Sequence, residues 1–169
     1  MRISMALGLG RLSEPGEFLS VAAVAEMAGA LEKAGVDACY VTEHPAPSQA
    51  WLQAGGHSAL DPFVQLAVAA SVSTRLLLHT HIVVLPYRNP FVTAKAAASL
   101  DVLSGGRLIL GVGVGYMREE FAALGVPFAE RGVLVDEALA TLKQVWTGEA
   151  VTLQGRHFDA RAVQALPVP

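Results

Sequence analysis

A single cysteine, Cys39, excludes an internal disulfide, and a lone thiol inside an expected strand suits a reducing cytosol. Charge is scarce as well. Only 16% of the residues are Asp, Glu, Lys or Arg, and 12 basic against 15 acidic side chains give a net charge of −3. With no basic cluster, a nucleic-acid backbone is not an expected partner. Long apolar runs are missing too: the stretch over residues 76–85 is broken by His79 and His81. No segment approaches the roughly 18 uninterrupted apolar residues of a spanning helix, so no membrane partner is expected. The N-terminus has one Arg and a short apolar stretch before Arg11 and Glu14, too little for a secretory signal. These absences predict a cytoplasmic protein.

What is present is apolar. The chain has 169 residues, enough for one domain with its own core, and 53% of them are hydrophobic. The mean hydropathy of +0.44 lies on the apolar side for a soluble domain. That surplus has to be buried in a membrane, a subunit interface or a part of the fold outside this chain. Strand and helix signals alternate. Residues 3–9 read as an opening strand, and Ser20 caps a helix from residue 21 to about 34 that stops at Gly35. Residues 38–42 form a buried strand, and Glu43-His44-Pro45 opens a long loop rich in Pro, Gly and Ser. Asp61-Pro62 and Asn89-Pro90 each combine an N-cap with proline at the first helical position, starting helices that run to about residues 71 and 103. Residues 76–81 and 108–112 give two more strands, and helices are expected near 117–124 and 131–146. Each strand is nearly all apolar, the pattern of a parallel sheet covered on both faces.

The stretch over residues 100–116 is the most informative. It reads as a helix end, a Ser104-Gly-Gly-Arg107 turn, a buried strand and then alternate glycines Gly111, Gly113 and Gly115 at the strand's C-terminal edge. In parallel α/β proteins ligands bind at that edge, and glycines let backbone approach a flat or phosphorylated group closely. Tight packing explains the same glycines equally well. A dinucleotide fingerprint would need a further glycine at Tyr116 or Arg118, and neither is glycine. A methyltransferase-type loop fits the spacing, but such loops follow the first strand of a domain rather than the fourth. Four βα units followed by a small hairpin over residues 151–159 and a proline-containing tail are too few for a closed (β/α)8 barrel of roughly 250 residues. Residues 1–169 are therefore expected to form one domain resembling half of something larger, with residues 147–169 as hairpin and linker.

Three segments resemble the luciferase-like flavin and deazaflavin oxidoreductases: Tyr40-Val-Thr-Glu-His44, residues 79–90 from His79 to Pro90, and Leu100 through Arg107 into Gly111-Val-Gly-Val-Gly115. Glu120-Phe121, Gly125-Val126, Glu130-Arg131 and Leu142 to Trp146 fit as well, so the likeness runs in order along essentially the whole chain. Within that family the chain looks most like the branch of coenzyme F-420-dependent oxidoreductases, with the flavin-dependent monooxygenases as relatives. The resemblance implies a luciferase-like TIM (β/α)8 barrel, of which this chain holds about the first four βα units, a half barrel. It implies an F-420 or FMN cofactor, with a non-prolyl cis peptide at His81-Ile82 under its ring. Thr80, His81, Ile82, Gly113, Val114, Gly115 and Tyr116 would contact that cofactor. His44 would be the catalytic acid–base group toward a small-molecule substrate. It also implies a homodimer, or association with a second barrel half. The deazaflavin-dependent sugar-phosphate dehydrogenases carry a glutamate where this chain has Tyr116, which leaves the substrate class open.

Several side chains have plainer readings. His79 and His81 share a strand face at i, i+2, but no Asp, Glu or Cys at ligand spacing accompanies them, so no metal site is expected. His57 and His157 sit in polar or glycine-rich surroundings and read as exposed. Glu43 would point away from His44 along the strand and orient rather than react. Asp101 and Arg107 are placed to pair across their turn. Glu119-Glu120 reads as a solvated helix face, with Glu119 near enough to the loop to touch a cofactor.

Overall fold

The computed structural model describes residues 1–10 and 16–169, so Arg11 and Glu14 lie outside the described residues. Four parallel strands, β1 (Ser4–Ala6), β2 (Ala38–Val41), β3 (Leu77–Val84) and β4 (Leu108–Gly113), lie side by side in sequence order. Between and beyond them run α1 (Val21–Lys33), the short α2 (Gln49–Gln53), α3 (Pro62–Val72), α4 (Pro90–Ser104), α5 (Arg118–Ala123) and α6 (Arg131–Val145). An antiparallel hairpin of β5 (Val151–Gln154) and β6 (Asp159–Val163) follows. Among the described residues the four-stranded sheet is not closed into a barrel.

The caps explain the helix starts. Ser20 Oγ accepts from the Ala23 N–H, Asp61 Oδ1 from Phe63 and Val64, and Asn89 Oδ1 from Phe91. Pro62 and Pro90 occupy first-turn positions, where a missing N–H costs nothing. α4 ends at Gly105, whose φ of 70° is left-handed backbone that favours glycine. One face of the sheet and the helices packed on it share a core that includes Cys39, Val41, Leu66, Leu78, Ala97 and Leu142. The opposite face carries Tyr40, His79 and Ile109 in register, with Ile109 39% exposed.

Several boundaries differ from the sequence reading. The opening strand pairs only over Ser4–Ala6; beyond it Leu7 still donates to the Tyr40 carbonyl, but Gly10 turns away to bridge Ser58. β3 continues past residue 81 to Val84 through a cis His81–Ile82 peptide, where its register against β4 shifts between Thr80 and Val83. The Pro- and Gly-rich loop holds α2, started by Ser48 Oγ accepting from Trp51. Asp101 and Arg107 take separate partners: Asp101 Oδ1 accepts from the Leu108 N–H, while the Arg107 guanidinium donates to the Ser104, Leu76 and Ala70 carbonyls and to Ser73 Oγ. Those carbonyls end a helix or begin a strand and lack backbone partners, which makes them better acceptors for a planar five-donor head. No helix among the described residues is long and apolar enough to cross a membrane.

Candidate active site

The C-terminal ends of β2, β3 and β4 meet in a cleft of about 220 Å³ lined by Thr42, Glu43, His44, His81, Ile82, Val84, Tyr87, Gly115, Tyr116 and Glu120. His44 follows β2 and has a side chain only 10% exposed. Its ring leans on Trp51 of α2, with centroids 4.7 Å apart and planes at 39°, and meets His57 edge-on at 5.1 Å. Tyr116 lies 6.3 Å away, also edge-on, and is 65% exposed. His57 Nε2 is 3.2 Å from Thr42 Oγ1. The expectation of an exposed His57 is thereby corrected. The glycine-rich loop folds back over the end of β2, and α2 brings His57 into a half-buried aromatic cluster.

Glu43 turns the other way. Its Oε2 accepts from the Val84 N–H at 2.6 Å and its Oε1 from Arg88 Nε at 2.7 Å, while Arg88 Nη2 reaches Asp61 Oδ2 at 2.6 Å. Burial pushes the Glu43 carboxyl above the usual carboxylate range, a push opposed by the Arg88 guanidinium and the Val84 N–H. The side chain therefore fastens the end of β2 to the end of β3, leaving His44 as the imidazole between them.

β3 and β4 form the floor. Thr80 is fully buried and donates to the Gly111 carbonyl at 2.8 Å, so it supports the cleft from below rather than lining it. The glycines are demanded by protein neighbours. A Cβ on Gly111 would lie 2.2 Å from the Thr80 carbonyl oxygen, and one on Gly113 2.2 Å from Ile82 Cδ1. Gly115 combines a φ of +76° with contacts to Val84 and Phe121. Of the residues expected to touch a cofactor, His81, Ile82, Gly115 and Tyr116 line the cleft together with His44, whereas Thr80, Gly113 and Val114 do not. His79 points to the uncovered sheet face; burial and the neighbouring His81 hold its imidazole below the usual range. Among the described residues no group of three or more His, Cys, Asp or Glu is placed to hold a metal ion.

One residue the sequence reading treated as solvated is central. Glu119 is exposed, but Glu120 is 1% exposed and enters the cleft wall. Its Oε2 accepts from Tyr87 Oη at 2.8 Å, and its Oε1 accepts from the Ala46 N–H at 3.3 Å and lies 3.4 Å from His44 Nδ1. A signal for this was available in helix phase: Met117, Glu120 and Phe121 fall at i, i+3 and i+4, one stripe that turns inward. His157 is likewise half-buried rather than exposed. Its Nε2 lies 2.9 Å from Glu130 Oε2 and its N–H donates to Glu137, because the hairpin turn docks on α6.

The sequence pattern of the luciferase-like monooxygenase family matches residues 1–169. The chain belongs to that family. The F420-dependent glucose-6-phosphate dehydrogenase of Beutenbergia cavernae is 39% identical over 135 residues, covering 77% of this chain and 38% of that protein. A monooxygenase of Streptomyces bottropensis superposes with a TM-score of 0.85 at 26% identity, covering 99% of this chain and 50% of that one. The oxygenating constituent of 3,6-diketocamphane monooxygenase from Pseudomonas putida, solved with FMN, superposes with a TM-score of 0.79 at 19% identity, over 95% of this chain and 43% of that one. That last likeness shows the fold alone. This luciferase-like chain spans half the length or less of each of these relatives, which are oxidoreductases and monooxygenases. Its own architecture is the α/β half of their fold: four parallel strands with the helices on one side and the cleft at the strand ends.

Proposed function

We propose that this chain supplies the ring-binding and proton-handling face of a cytoplasmic oxidoreductase that moves hydride between coenzyme F-420 and a small organic substrate. The observation that carries this reading is the convergence of His44 with the His81–Ile82 segment in one cleft at the C-terminal edge of the sheet. Relatives named as F420-dependent, at 31–39% identity, support the choice of cofactor.

The cleft suits a ring rather than a whole cofactor. Its volume of about 220 Å³ falls below the roughly 300–1,000 Å³ of pockets that enclose a drug-sized ligand. Ile82 and Val84 offer apolar contact, Tyr116 offers an exposed aromatic face, and His81 and Gly115 complete the wall. When bound, the deazaflavin supplies the hydride acceptor or donor. The chain's own residues do the rest. His44 takes a substrate hydroxyl proton as hydride leaves and becomes imidazolium, or as imidazolium returns that proton in reduction, because histidine side chains exchange a proton readily near neutral pH. Trp51 and His57 hold its plane, and Tyr116 narrows the entrance. The uncovered sheet face, with Ile109 and His79, is completed by a second barrel half or by a second copy of this chain.

A second reading, a reduced-FMN-dependent monooxygenase, draws on the Streptomyces neighbour at 26% identity. One experiment separates the two: parallel equilibrium titrations of the 169-residue chain with F-420 and with FMN, followed by cofactor fluorescence. Saturable binding of F-420 with weaker FMN binding is the expected result. Preference for FMN favours the monooxygenase. No binding of either by a folded chain overturns the proposal for this chain alone and leaves a self-associating, non-catalytic fragment.

A further inference from the structure

We infer that Glu120, held by Tyr87, is a positioning residue that fixes the proton of the His44 ring on Nδ1. The catalytic meaning of this rests on the reading of His44 given above, but the proton arrangement is a property of the chain itself.

The argument starts from an atom without a hydrogen bond. His44 Nδ1 is buried and makes none, although buried polar nitrogens are nearly always paired. The nearest partner is Glu120 Oε1 at 3.4 Å, within reach by distance but poorly aligned. A carboxylate only accepts. Facing it with the Nδ1 lone pair would set two acceptors against each other in a water-poor wall, whereas Nδ1–H turns the same contact into an attraction. The carboxylate is not free to swing aside. Tyr87 Oη donates to Oε2 at 2.8 Å and the Ala46 N–H to Oε1 at 3.3 Å. Burial, reinforced by the bond to Glu120, pushes the Tyr87 phenol upward, so it remains a donor. The neighbouring Phe121 is fully buried and anchors the short helix that carries Glu120. Trp51 limits rotation of the His44 plane from the other side.

With Nδ1 protonated, Nε2 is left as the acceptor of the neutral ring. That is the arrangement a proton-accepting imidazole needs toward a substrate hydroxyl, and it is the one that a carboxylate on the other nitrogen enforces in histidines generally. Free imidazole side chains favour the opposite tautomer, so the assignment makes a distinctive demand.

The test is two-bond proton–nitrogen correlation NMR on the ¹⁵N-histidine-labelled chain at a pH where its imidazoles are neutral, with His44 assigned by loss of its signals in His44→Gln. In the parent chain we expect the Nδ1–H pattern at His44. Glu120→Met removes the acceptor from Nδ1 and should release the ring toward the Nε2–H form, whereas Glu120→Asp should keep at least part of the Nδ1–H pattern. Tyr87→Phe keeps the carboxylate but frees it, and should give a mixture. A parent His44 in the Nε2–H form, or a folded Glu120→Met chain with unchanged tautomer, overturns the inference. Should Glu120→Met fail to fold, the parent spectrum and Tyr87→Phe still decide. Because no cofactor is present, failed cofactor titrations and a failed tautomer assignment are separate results.

Discussion

Arg88 offers the sharpest test of how the site is held. Its guanidinium bridges Glu43, whose side chain is 3% exposed, and Asp61, whose side chain is 40% exposed. Arg88→Met keeps most of the side-chain length and removes the charge. Asp61 loses little, since it stays solvated and still caps α3 through the Phe63 and Val64 N–H groups. Glu43 loses its main compensating charge and keeps only the Val84 N–H. Breaking a buried pair by removing one partner costs about 3–5 kcal/mol. The Arg88 side chain is 24% exposed, so water can partly replace it, and the lower end, about 3 kcal/mol, is the expected loss near pH 8. For a domain of this length that corresponds to a fall of roughly 6–12 °C in Tm.

The sign of the pH dependence follows from the same contacts. Burial already raises the Glu43 carboxyl in the folded chain. A group raised on folding favours the folded state below its unfolded value of about 4.5, and that contribution disappears as pH rises through the folded value. Without Arg88 the folded value rises further, so the penalty of Arg88→Met should be small near pH 4.5 and grow toward pH 8. Urea unfolding of both chains at several pH values measures this. Arg88→Lys should lose less at pH 8, and Glu43→Gln combined with Arg88→Met should lose the pH dependence. A penalty equal at both pH values, or below about 1 kcal/mol at pH 8, refutes the view that Glu43 is a buried carboxylate dependent on Arg88.

Two further expectations concern the sheet. Gly113→Ala places a methyl 2.2 Å from Ile82 Cδ1 and should cost about 1–3 kcal/mol in denaturant unfolding, most of it recovered when Ile82→Ala is added. Gly111→Ala meets the Thr80 carbonyl oxygen instead, so no side-chain truncation should rescue it; recovery by Ile82→Ala there would contradict the register. Cys39 is fully buried, and burial pushes its thiol up to about 12, so at pH 8 an aromatic disulfide reagent should modify it only as fast as the chain unfolds. Rapid labelling of the native chain would place Cys39 elsewhere.

Sequence was informative where an interaction is local. The Asp61-Pro62 and Asn89-Pro90 starts were readable because the capping oxygen and the N–H it accepts from lie two or three residues apart. β2 and the first part of β4 appeared near their observed limits because apolar runs between glycine- and charge-marked turns leave little choice. Alternate glycines at the C-terminal end of β4 pointed to the right place, yet the necessity of Gly111 and Gly113 comes from Thr80 and Ile82 on the neighbouring strand, which composition does not display.

The site itself was half legible for the same physical reason. His44 stood out by its position at a strand end. Glu120 did not, because its partner Ala46 is 74 residues away in the chain and the adjacent Glu119 has the same composition but opposite exposure. Glu43 was expected to orient rather than react, and its grip on Val84, 41 residues on, and on Arg88 needed the fold to be seen. Residues 43, 44 and 120 thus share one logic. Two buried carboxylates flank one imidazole: one fastens the strand ends that carry the ring, and the other faces the ring's inner nitrogen. The strand-end carboxylate can be tested through stability alone and the ring-facing one through a proton position alone, so the two halves of that logic can fail independently.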